Sequence, residues 1–239
     1  MSKFNVFLCS HDLQFGFKKG SGCHHAVFVM QTVVDYFRKR GSCVYIAALD
    51  ASKAFDKLDH SCLVNKLMQK GVPQCCIKVL EDWYGKLHSV VGWYNTLSAS
   101  LPIKAGVRQG SVLSPVLFNL YMDDVFDLVK DRGYGCHINK QFFGCILYAD
   151  DILLLSASVT GLQKMLDTCH AYCTGVGLTF NVNKSHCVMI GQKYNMQIPD
   201  LCIGGLPIKW TTTLKYLGII FEAGHNLHVD TSAIRRKFY

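Results

Sequence analysis

An apolar, strand-like stretch in the middle of the chain is interrupted by two adjacent aspartates, Asp150 and Asp151. Residues 142–147 before them and 152–155 after them are almost all apolar, which predicts a β-hairpin with the acids at its turn. Side chains alternate between the faces of a strand, so we expect the two carboxylates to point in different directions. Because an unpaired buried charge is costly, the pair indicates either a cation site or a turn that simply favours Asp.

A second apolar run favours the cation site. Residues 45–49 are typical of a short buried strand, and the run ends abruptly at Asp50. A strand that ends in a carboxylate, together with a hairpin that presents others, can hold two divalent ions about 3.5–4 Å apart. Ligands that are all oxygen suit Mg²⁺. The pattern therefore predicts a two-metal site for phosphoryl transfer, with Asp150 as a direct ligand and Asp151 in support.

The rest of the pattern predicts helices that alternate with short strands. Helical periodicity predicts one helix that begins at Ser114-Pro115, with proline in its first turn, and others at residues 26–37, 63–68, 77–87 and 161–173. Further strands are predicted at 89–94 and around Leu178 and Val188. This order predicts an α+β fold, a small antiparallel sheet backed by helices.

Two other acidic clusters resemble metal sites less closely. Asp123 and Asp124 belong to a second Tyr-X-Asp-Asp sequence, but they fall within the helix predicted from Ser114. Adjacent helical residues diverge by about 100°, so we expect this pair on the polar flank of the helix, in a structural role. Asp56, Asp59 and His60 are interpreted as helix-surface or structural residues, with the first two on one helix face.

Composition narrows the class of protein. The formal net charge is +8, which fits a polyanionic partner. The sequence predicts no membrane span and no secretory signal, so we expect an intracellular, reducing environment in which the twelve cysteines are mostly small core residues. Cys169 and Cys173 continue an apolar helix face, which favours packing over zinc binding; residues 23–25, Cys-His-His, are given the same interpretation.

Several motifs, in order, resemble those of a reverse transcriptase of the non-long-terminal-repeat (LINE-type) retrotransposons. The matching segments are residues 14–17 with Gly20 and Ala26, then 49–56, 106–115, 148–151, 177–181 with Lys184 and Ser185, and 214–218. The resemblance covers most of the chain from Gln14 onward. It implies a right-hand polymerase palm, a ferredoxin-like antiparallel sheet backed by helices, with partial fingers and a truncated thumb.

The resemblance also implies residue roles. Asp50, Asp150 and Asp151 would bind two Mg²⁺ ions, or Mn²⁺, with the carbonyl of Ala51 as a further ligand, and Lys184 would protonate the departing pyrophosphate. The remaining roles concern the substrates. Phe55 would exclude a ribose 2′-hydroxyl, while Arg108, Gln109 and Gly110 would shape the nucleotide loop, and Leu217 and Gly218 would grip the primer. From the residues alone, Phe55 fits a core aromatic and Leu217 an ordinary strand equally well. A lone lysine after a strand, such as Lys184, is more often a solvated surface residue.

The implied activity is RNA-directed DNA polymerisation, with an RNA template, a DNA primer and deoxynucleoside triphosphates as partners, in an intracellular and nuclear setting. Residues 1–230 would form the palm with partial fingers, and 231–239 the start of a thumb, after a polar boundary at 225–230. The upstream fingers and most of the thumb are not expected in this sequence. A catalytically incomplete palm that at most binds nucleic acid is therefore one alternative, and a template-independent palm enzyme such as a nucleotidyl cyclase is another; the oligomeric state is not predicted.

Overall fold

The fold is built on helices that cover a mixed sheet. A computed structural model describes residues 9–108 and 110–230. The helices are α1 (Cys23–Lys39), α2 (Ala54–Lys57), α3 (His60–Gln69), α4 (Gln74–Gly85), α5 (Ser114–Asp131) and α6 (Val159–Gly175). The helices predicted from apolar periodicity are thus confirmed, each with bounds shifted by a few residues.

The strands are short and form one central sheet with smaller satellites. In chain order they are β1 (Val44–Asp50), β2 (His88–Ser89), β3 (Gly92–Trp93), β4 (Thr96–Leu97), β5 (Leu101–Pro102), β6 (His137–Ile138), β7 (Gln141–Phe142), β8 (Cys145–Tyr148), β9 (Asp151–Ser156), β10 (His186–Ile190), β11 (Leu201–Ile203), β12 (Leu206–Trp210), β13 (Thr213–Tyr216), β14 (Ile219–Ala223) and β15 (Leu227–Val229).

The central sheet has the strand order β11-β12-β10-β1-β9-β8. Strand β1 lies between β9 and β10 and is antiparallel to both, and β8 and β9 form the predicted hairpin. Only the β10–β12 pair in this sheet is parallel among the described strands. Because β1 is flanked on both sides, its apolar residues are buried, as a central strand requires.

The core lies between this sheet and helices α1, α5 and α6, which contact it. Helix α5 contributes the largest buried side chains, among them Phe118, Tyr121 and Phe126. Cys169 and Cys173 are also buried, so the prediction that they are core residues is confirmed. The same prediction is wrong for Cys23 and His24, which are exposed at the start of α1, and five of the twelve cysteines, not most of them, are buried. The α+β class is confirmed as well: a central, mostly antiparallel sheet packs against helices.

The structure corrects two strand predictions. Residues 89–94 do not form one strand; β2 and β3 are separated by Val90 and Val91, and together with β4 and β5 they form a long hairpin. Leu178 is not in a strand, although Phe180 makes a single bridge to Ala51. A buried leucine in a loop has the same sequence signal as a short strand, which explains the second error.

The predictions for the two other acidic clusters are also partly corrected. Asp123 and Asp124 do lie on helix α5, but Asp123 is buried rather than on a polar flank, because its carboxylate pairs with Lys70 at 2.6 Å. Asp56 and Asp59 do not share a helix face. Helix α2 ends before Asp59, whose side chain instead accepts a hydrogen bond from the backbone N–H of Cys62 and caps α3.

The end of the described chain is a second, three-stranded sheet, β13-β14-β15. Residues 225–230, where the sequence predicts a boundary, include β15, which pairs with β14. The thumb start predicted at 231–239 lies outside the described residues and stays a prediction. None of the helices within the described residues is both long and apolar enough to cross a bilayer.

Candidate active site

Three carboxylates meet at one end of the central sheet. Asp50 is the last residue of β1, and the strand register places Asp151, the first residue of β9, directly opposite it. Residues that are directly opposite in an antiparallel pair project from the same face, with Cβ atoms about 4.5–5.5 Å apart. Asp150 precedes Asp151 in the hairpin turn rather than in a strand. Strand pairing thus brings together acids that are far apart in sequence.

The electrostatics of this end are unfavourable without a cation. Burial, and after it the neighbouring Asp150 and Asp50 carboxylates, together raise the pKa of Asp151 to about 6. Burial and the Asp50 carboxylate also raise the pKa of Asp150. Like charges placed directly across a strand pair are destabilising. The fold therefore concentrates negative charge at a point where it has no net benefit for stability.

The hairpin turn is held by Gln14, which is fully buried. Its side-chain carbonyl accepts hydrogen bonds from the backbone N–H groups of Ala149, at 3.1 Å, and Gly16, at 2.9 Å. Ala149 has a φ of 55°, a left-handed conformation that is uncommon for residues other than glycine. Gly16 lies so close that a Cβ there would be 2.6 Å from the Ala149 nitrogen. The N-terminal segment therefore fixes the turn that presents Asp150.

A loop after α6 holds the other side of the site. The backbone N–H of Asp50 donates to Ser185 Oγ at 3.2 Å, and the Asp50 carbonyl accepts from the N–H of Asn181 at 2.8 Å. Ser185 is buried, and its hydroxyl donates to the carbonyl of Asn181. The exposed Lys184 extends its Nζ to 4.0 Å from a carboxylate oxygen of Asp50. Among the described residues, Lys184 is the one cation within ion-pair distance of any of the three aspartates, and its partner is Asp50.

The predicted nucleotide-contacting residues surround a separate open cavity of about 560 Å³. Phe55, Arg108 and Gly110 all contribute to its wall. The ring of Phe55 is half-buried and stacks on Phe118 with a centroid distance of 4.3 Å, so it is both a core contact and part of the cavity wall. Gln109 lies outside the described residues, and its predicted place over the nucleotide stays a prediction.

The predicted primer-gripping residues form the turn between β13 and β14. Leu217 and Gly218 both have positive φ, 48° and 79°, and connect Tyr216 to Ile219 in a tight hairpin. The hydroxyl of Tyr216 is buried and has no hydrogen-bond partner among the described residues. Burial, and after it the Asp151 carboxylate, raises the pKa of Tyr216 well above its usual range. This hairpin is therefore close enough for Asp151 to influence it electrostatically.

A divalent ion fits the donor set, although the carboxylates are not already gathered around one position. Within residues 9–108 and 110–230, no three His, Cys, Asp or Glu side chains are arranged to ligate a single ion. If two ions share the three aspartates, each ion needs fewer than three protein carboxylates around it. Carboxylate oxygens are also the ligands that Mg²⁺ prefers. Gln14 and Ser185 hold this site by hydrogen bonds. Both lie in segments that resemble reverse transcriptase motifs, but the sequence predicted no role for either residue.

An α+β fold with paired strands that present three aspartates defines the class of right-hand polymerase palms. The family model for reverse transcriptase (RNA-dependent DNA polymerase) matches residues 4–221. The chain therefore belongs to the reverse transcriptase family.

Curated relatives place it near the LINE-type elements. It is 31% identical, over 88% of its length, to the retrovirus-related Pol polyprotein from type-2 retrotransposable element R2DM of Drosophila melanogaster. It is 27% identical, over 94% of its length, to the RNA-directed DNA polymerase from mobile element jockey of Drosophila funebris. The chain spans only 20% and 25% of those two proteins. The predicted family, the reverse transcriptase domain of a LINE-type element, is thus confirmed.

Solved structures show the same fold at low sequence identity. Apo telomerase from Candida tropicalis, truncated from its C-terminal domain, superposes with a TM-score of 0.62 at 12% identity. That match covers 88% of this chain and 40% of the telomerase chain. The predicted right-hand polymerase architecture is confirmed by this likeness, which carries information about the fold alone.

Proposed function

We propose that this chain is the palm of an RNA-directed DNA polymerase that extends a primer on an RNA template. The observation that carries the proposal is the strand register that pairs Asp50 with Asp151, one residue after Asp150. Family membership supports this reading over other palm enzymes. The substrates are an RNA template, a DNA primer and a deoxynucleoside triphosphate, in keeping with the net charge of +8.

Asp50, Asp150 and Asp151 are proposed to hold two divalent ions, Mg²⁺ or alternatively Mn²⁺, with the carbonyl of Ala51 as a further ligand. Bound there, the ions would activate the primer 3′-hydroxyl and stabilise charge on the leaving oxygen. The protein's own part is positional. Gln14 fixes the hairpin turn and Ser185 fixes the end of β1, so the carboxylates keep their relative positions during the reaction.

Lys184 is proposed to donate a proton to the departing pyrophosphate. Its side chain is mostly exposed, and its Nζ lies beside Asp50. A lysine that can move freely next to the metal-binding acids is able to reach a triphosphate that sits on them. The 4.0 Å separation from Asp50 is at the limit of an ion pair, so Lys184 is not locked in a structural contact.

The cavity that includes Phe55, Arg108 and Gly110 is proposed to receive the sugar and base of the incoming nucleotide. Phe55 stands five residues after Asp50 in the chain, and its ring is braced by Phe118. A braced ring cannot easily move aside for a 2′-hydroxyl, which supports its role in selecting deoxynucleotides. Leu217 and Gly218 are proposed to hold the primer end.

Primer extension with matched templates tests this function. The protein is given Mg²⁺, all four deoxynucleotides and a DNA primer, either annealed to an RNA template or alone. We expect product only with the template, with a sequence complementary to it. Extension of the primer without a template would instead indicate terminal addition. A cyclic nucleotide formed without primer or template would favour the nucleotidyl-cyclase alternative. No product, with intact binding of Mg²⁺ and nucleic acid, would favour a palm that needs further protein segments for catalysis.

A further inference from the structure

A hairpin that projects from the fold between α4 and α5 is unusually apolar for its exposure. It comprises residues 88–102, in which β2 pairs with β5 and β3 pairs with β4. Every residue of these four strands is exposed. Trp93 is 74% exposed and Tyr94 is 95% exposed. We call this element the aromatic hairpin. Contiguous exposed apolar surface of this kind typically marks a binding site.

The tip of the aromatic hairpin holds Tyr94 in a strained conformation. Tyr94 and Asn95 form the turn between Trp93 and Thr96, and Tyr94 has a φ of 51°. A bulky residue at positive φ is a genuine outlier, and glycine would adopt the same turn without strain. The adjacent rings of Trp93 and Tyr94 meet edge to face at 5.7 Å. The tip therefore keeps two aromatic rings in solvent at a cost in backbone energy.

The charge around the hairpin favours a polyanion. Between Asp82 and Asp123 the sequence contains no acidic residue, and Lys104 and Arg108 lie in that interval. Lys86 lies there too, but it is paired with Asp82. The hairpin itself carries no Lys or Arg, so its own contribution to binding would be apolar. Aromatic rings flanked by basic residues are the combination that binds single-stranded nucleic acid, with the bases on the rings and the phosphates near the cations.

The hairpin is continuous with the candidate nucleotide site. Strand β5 leads through Ala105, which bridges to Asp59, and Gly106, whose N–H donates to the Leu58 carbonyl at 2.7 Å. Two residues later the chain reaches Arg108, in the wall of the cavity beside Phe55. The base of the aromatic hairpin is thus joined, through a short segment anchored on residues 58 and 59, to the wall of that cavity.

We propose that the aromatic hairpin is a stacking platform for unpaired template bases, which contacts the single-stranded template outside the active site. This inference rests on the proposed polymerase function and adds a second contact with the template. Trp93 and Tyr94 provide the stacking surfaces. Lys104 and Arg108 provide phosphate contacts on the path towards the site, so binding weakens as salt increases.

Binding of a single-stranded RNA measures this directly. The probe is a fluorescein-labelled oligo(A) of about 12 nucleotides, within the site sizes typical of such surfaces, mixed with the full chain without metal or deoxynucleotides. Loss of one stacking ring is expected to weaken binding by about fivefold to a hundredfold for Trp93→Ala or Tyr94→Ala. Trp93→Phe and Tyr94→Phe, which keep a ring, are expected to bind within about twofold of the original chain.

Two controls separate stacking from folding. Tyr94→Gly removes the ring but suits the positive φ, so the hairpin keeps its turn while RNA binding falls as far as in Tyr94→Ala. Tyr194→Ala removes another exposed tyrosine, which lies beyond the end of β10 that is farther from Asp50, and leaves affinity unchanged. In a Trp83→Phe/Trp210→Phe background Trp93 is the only tryptophan, and its fluorescence is quenched when RNA is added.

Unchanged RNA affinity in Tyr94→Gly and Trp93→Ala would overturn the inference. So would a sedimentation experiment in which these variants lose self-association but bind RNA normally, because the hairpin would then be a contact between copies of the chain. Asp150→Asn is expected to bind oligo(A) like the original chain, since the measurement needs no catalysis. Lost stacking with intact template-dependent primer extension therefore refutes this inference alone. Intact RNA binding through Trp93 and Tyr94, with primer extension that needs no template, refutes the proposed function alone.

Discussion

The three carboxylates at the end of the central sheet oppose stability, and the chemistry proposed for them gives that cost a purpose. Burial, together with the Asp150 and Asp50 carboxylates, raises the pKa of Asp151, and burial together with the Asp50 carboxylate raises the pKa of Asp150. Their positions at the end of one apolar run and in the middle of another made them predictable from sequence, since charges rarely interrupt buried strands without a function. The surrounding contacts were not predictable. Gln14 reaches Ala149 across most of the chain, and such a contact leaves no local pattern.

The raised pKa of Asp151 predicts a pH-dependent stability in the metal-free protein. With a folded pKa of about 6 against an ordinary 3.8, the folded state binds more protons than the unfolded state between these values. Stability due to this group is therefore greatest below about pH 4 and falls as the pH rises to about 6. Urea unfolding in EDTA should show that Asp151→Asn gains about 1 kcal/mol over the original chain at pH 7 and nothing at pH 4.

Millimolar Mg²⁺ provides the companion test of that prediction. Ligand binding to the folded state stabilises it by mass action, so the original chain should gain stability at pH 7 and Asp151→Asn should gain less. An equal gain in both proteins would show that Asp151 takes no part in binding the ion.

Phe55 is expected to control the choice between sugars. Its ring is braced by Phe118 at the wall of the cavity, so Phe55→Val opens space where a 2′-hydroxyl would lie. We expect incorporation of ribonucleotides to rise by about tenfold or more relative to deoxynucleotides, equivalent to about 1.4 kcal/mol, measured as a ratio of kcat/KM values. Phe118→Leu, which removes the brace but keeps the Phe55 ring, should give a smaller change. An unaltered ratio in Phe55→Val would assign Phe55 to the core alone.

Among the elements, the helices were predicted well and the exposed strands poorly. The amphipathic pattern repeats over the 17 residues of a helix such as α6, whereas strands β2 and β3 have two residues each and are too short to show a pattern. Their apolar side chains imitate a buried strand in sequence but lie in solvent. Sequence reasoning treats apolar residues as core, so the exposed apolar residues of this hairpin are misread as one continuous strand.

The close approach of the N-terminal segment to the β8–β9 hairpin gives a prediction about these elements. Gly16→Ala would place a Cβ 2.6 Å from a backbone nitrogen of the turn, so the turn must shift. We expect a loss of about 1–3 kcal/mol in stability, and about a hundredfold loss in kcat if the turn moves by about 1 Å. Gly85→Ala, at a site with open space and no positive φ, is the control and should change neither. Normal kcat in Gly16→Ala would mean that the turn does not depend on this contact.

At the scale of the whole molecule, the second Tyr-X-Asp-Asp sequence joins two helices that are remote in the chain. Asp123 and Asp124 on α5 pair with Lys70 and Lys66 in and just after α3. The backbone N–H of His11 also donates to Asp123 at 2.7 Å. Sequence alone predicted from its periodicity that this pair lies on a helix, and the structure confirms that placement. It could not predict the ion pairs, because the partners lie on different helices.

Lys70→Met is expected to destabilise the fold because it leaves the buried Asp123 carboxylate without its cation. The expected cost is about 2 kcal/mol, less than for a fully buried pair because Lys70 is partly exposed. Lys86→Met breaks the Lys86–Asp82 pair, which is exposed on α4, and should cost less than about 0.5 kcal/mol. Urea unfolding of both variants is the measurement. Equal costs would show that the α3–α5 contact is no more than a surface pair.

The most direct test compares the two Asp-Asp pairs in one assay. Asp150→Asn and Asp124→Asn each remove one carboxylate from a Tyr-X-Asp-Asp sequence, and each is tested for Mg²⁺-dependent extension of a DNA primer on an RNA template. If the account is right, Asp150→Asn loses incorporation while keeping its stability, and Asp124→Asn keeps incorporation, with some loss of stability. Retained incorporation in Asp150→Asn, with loss of incorporation in a folded Asp124→Asn, would contradict the proposed site. The chemistry would then belong to Asp123 and Asp124.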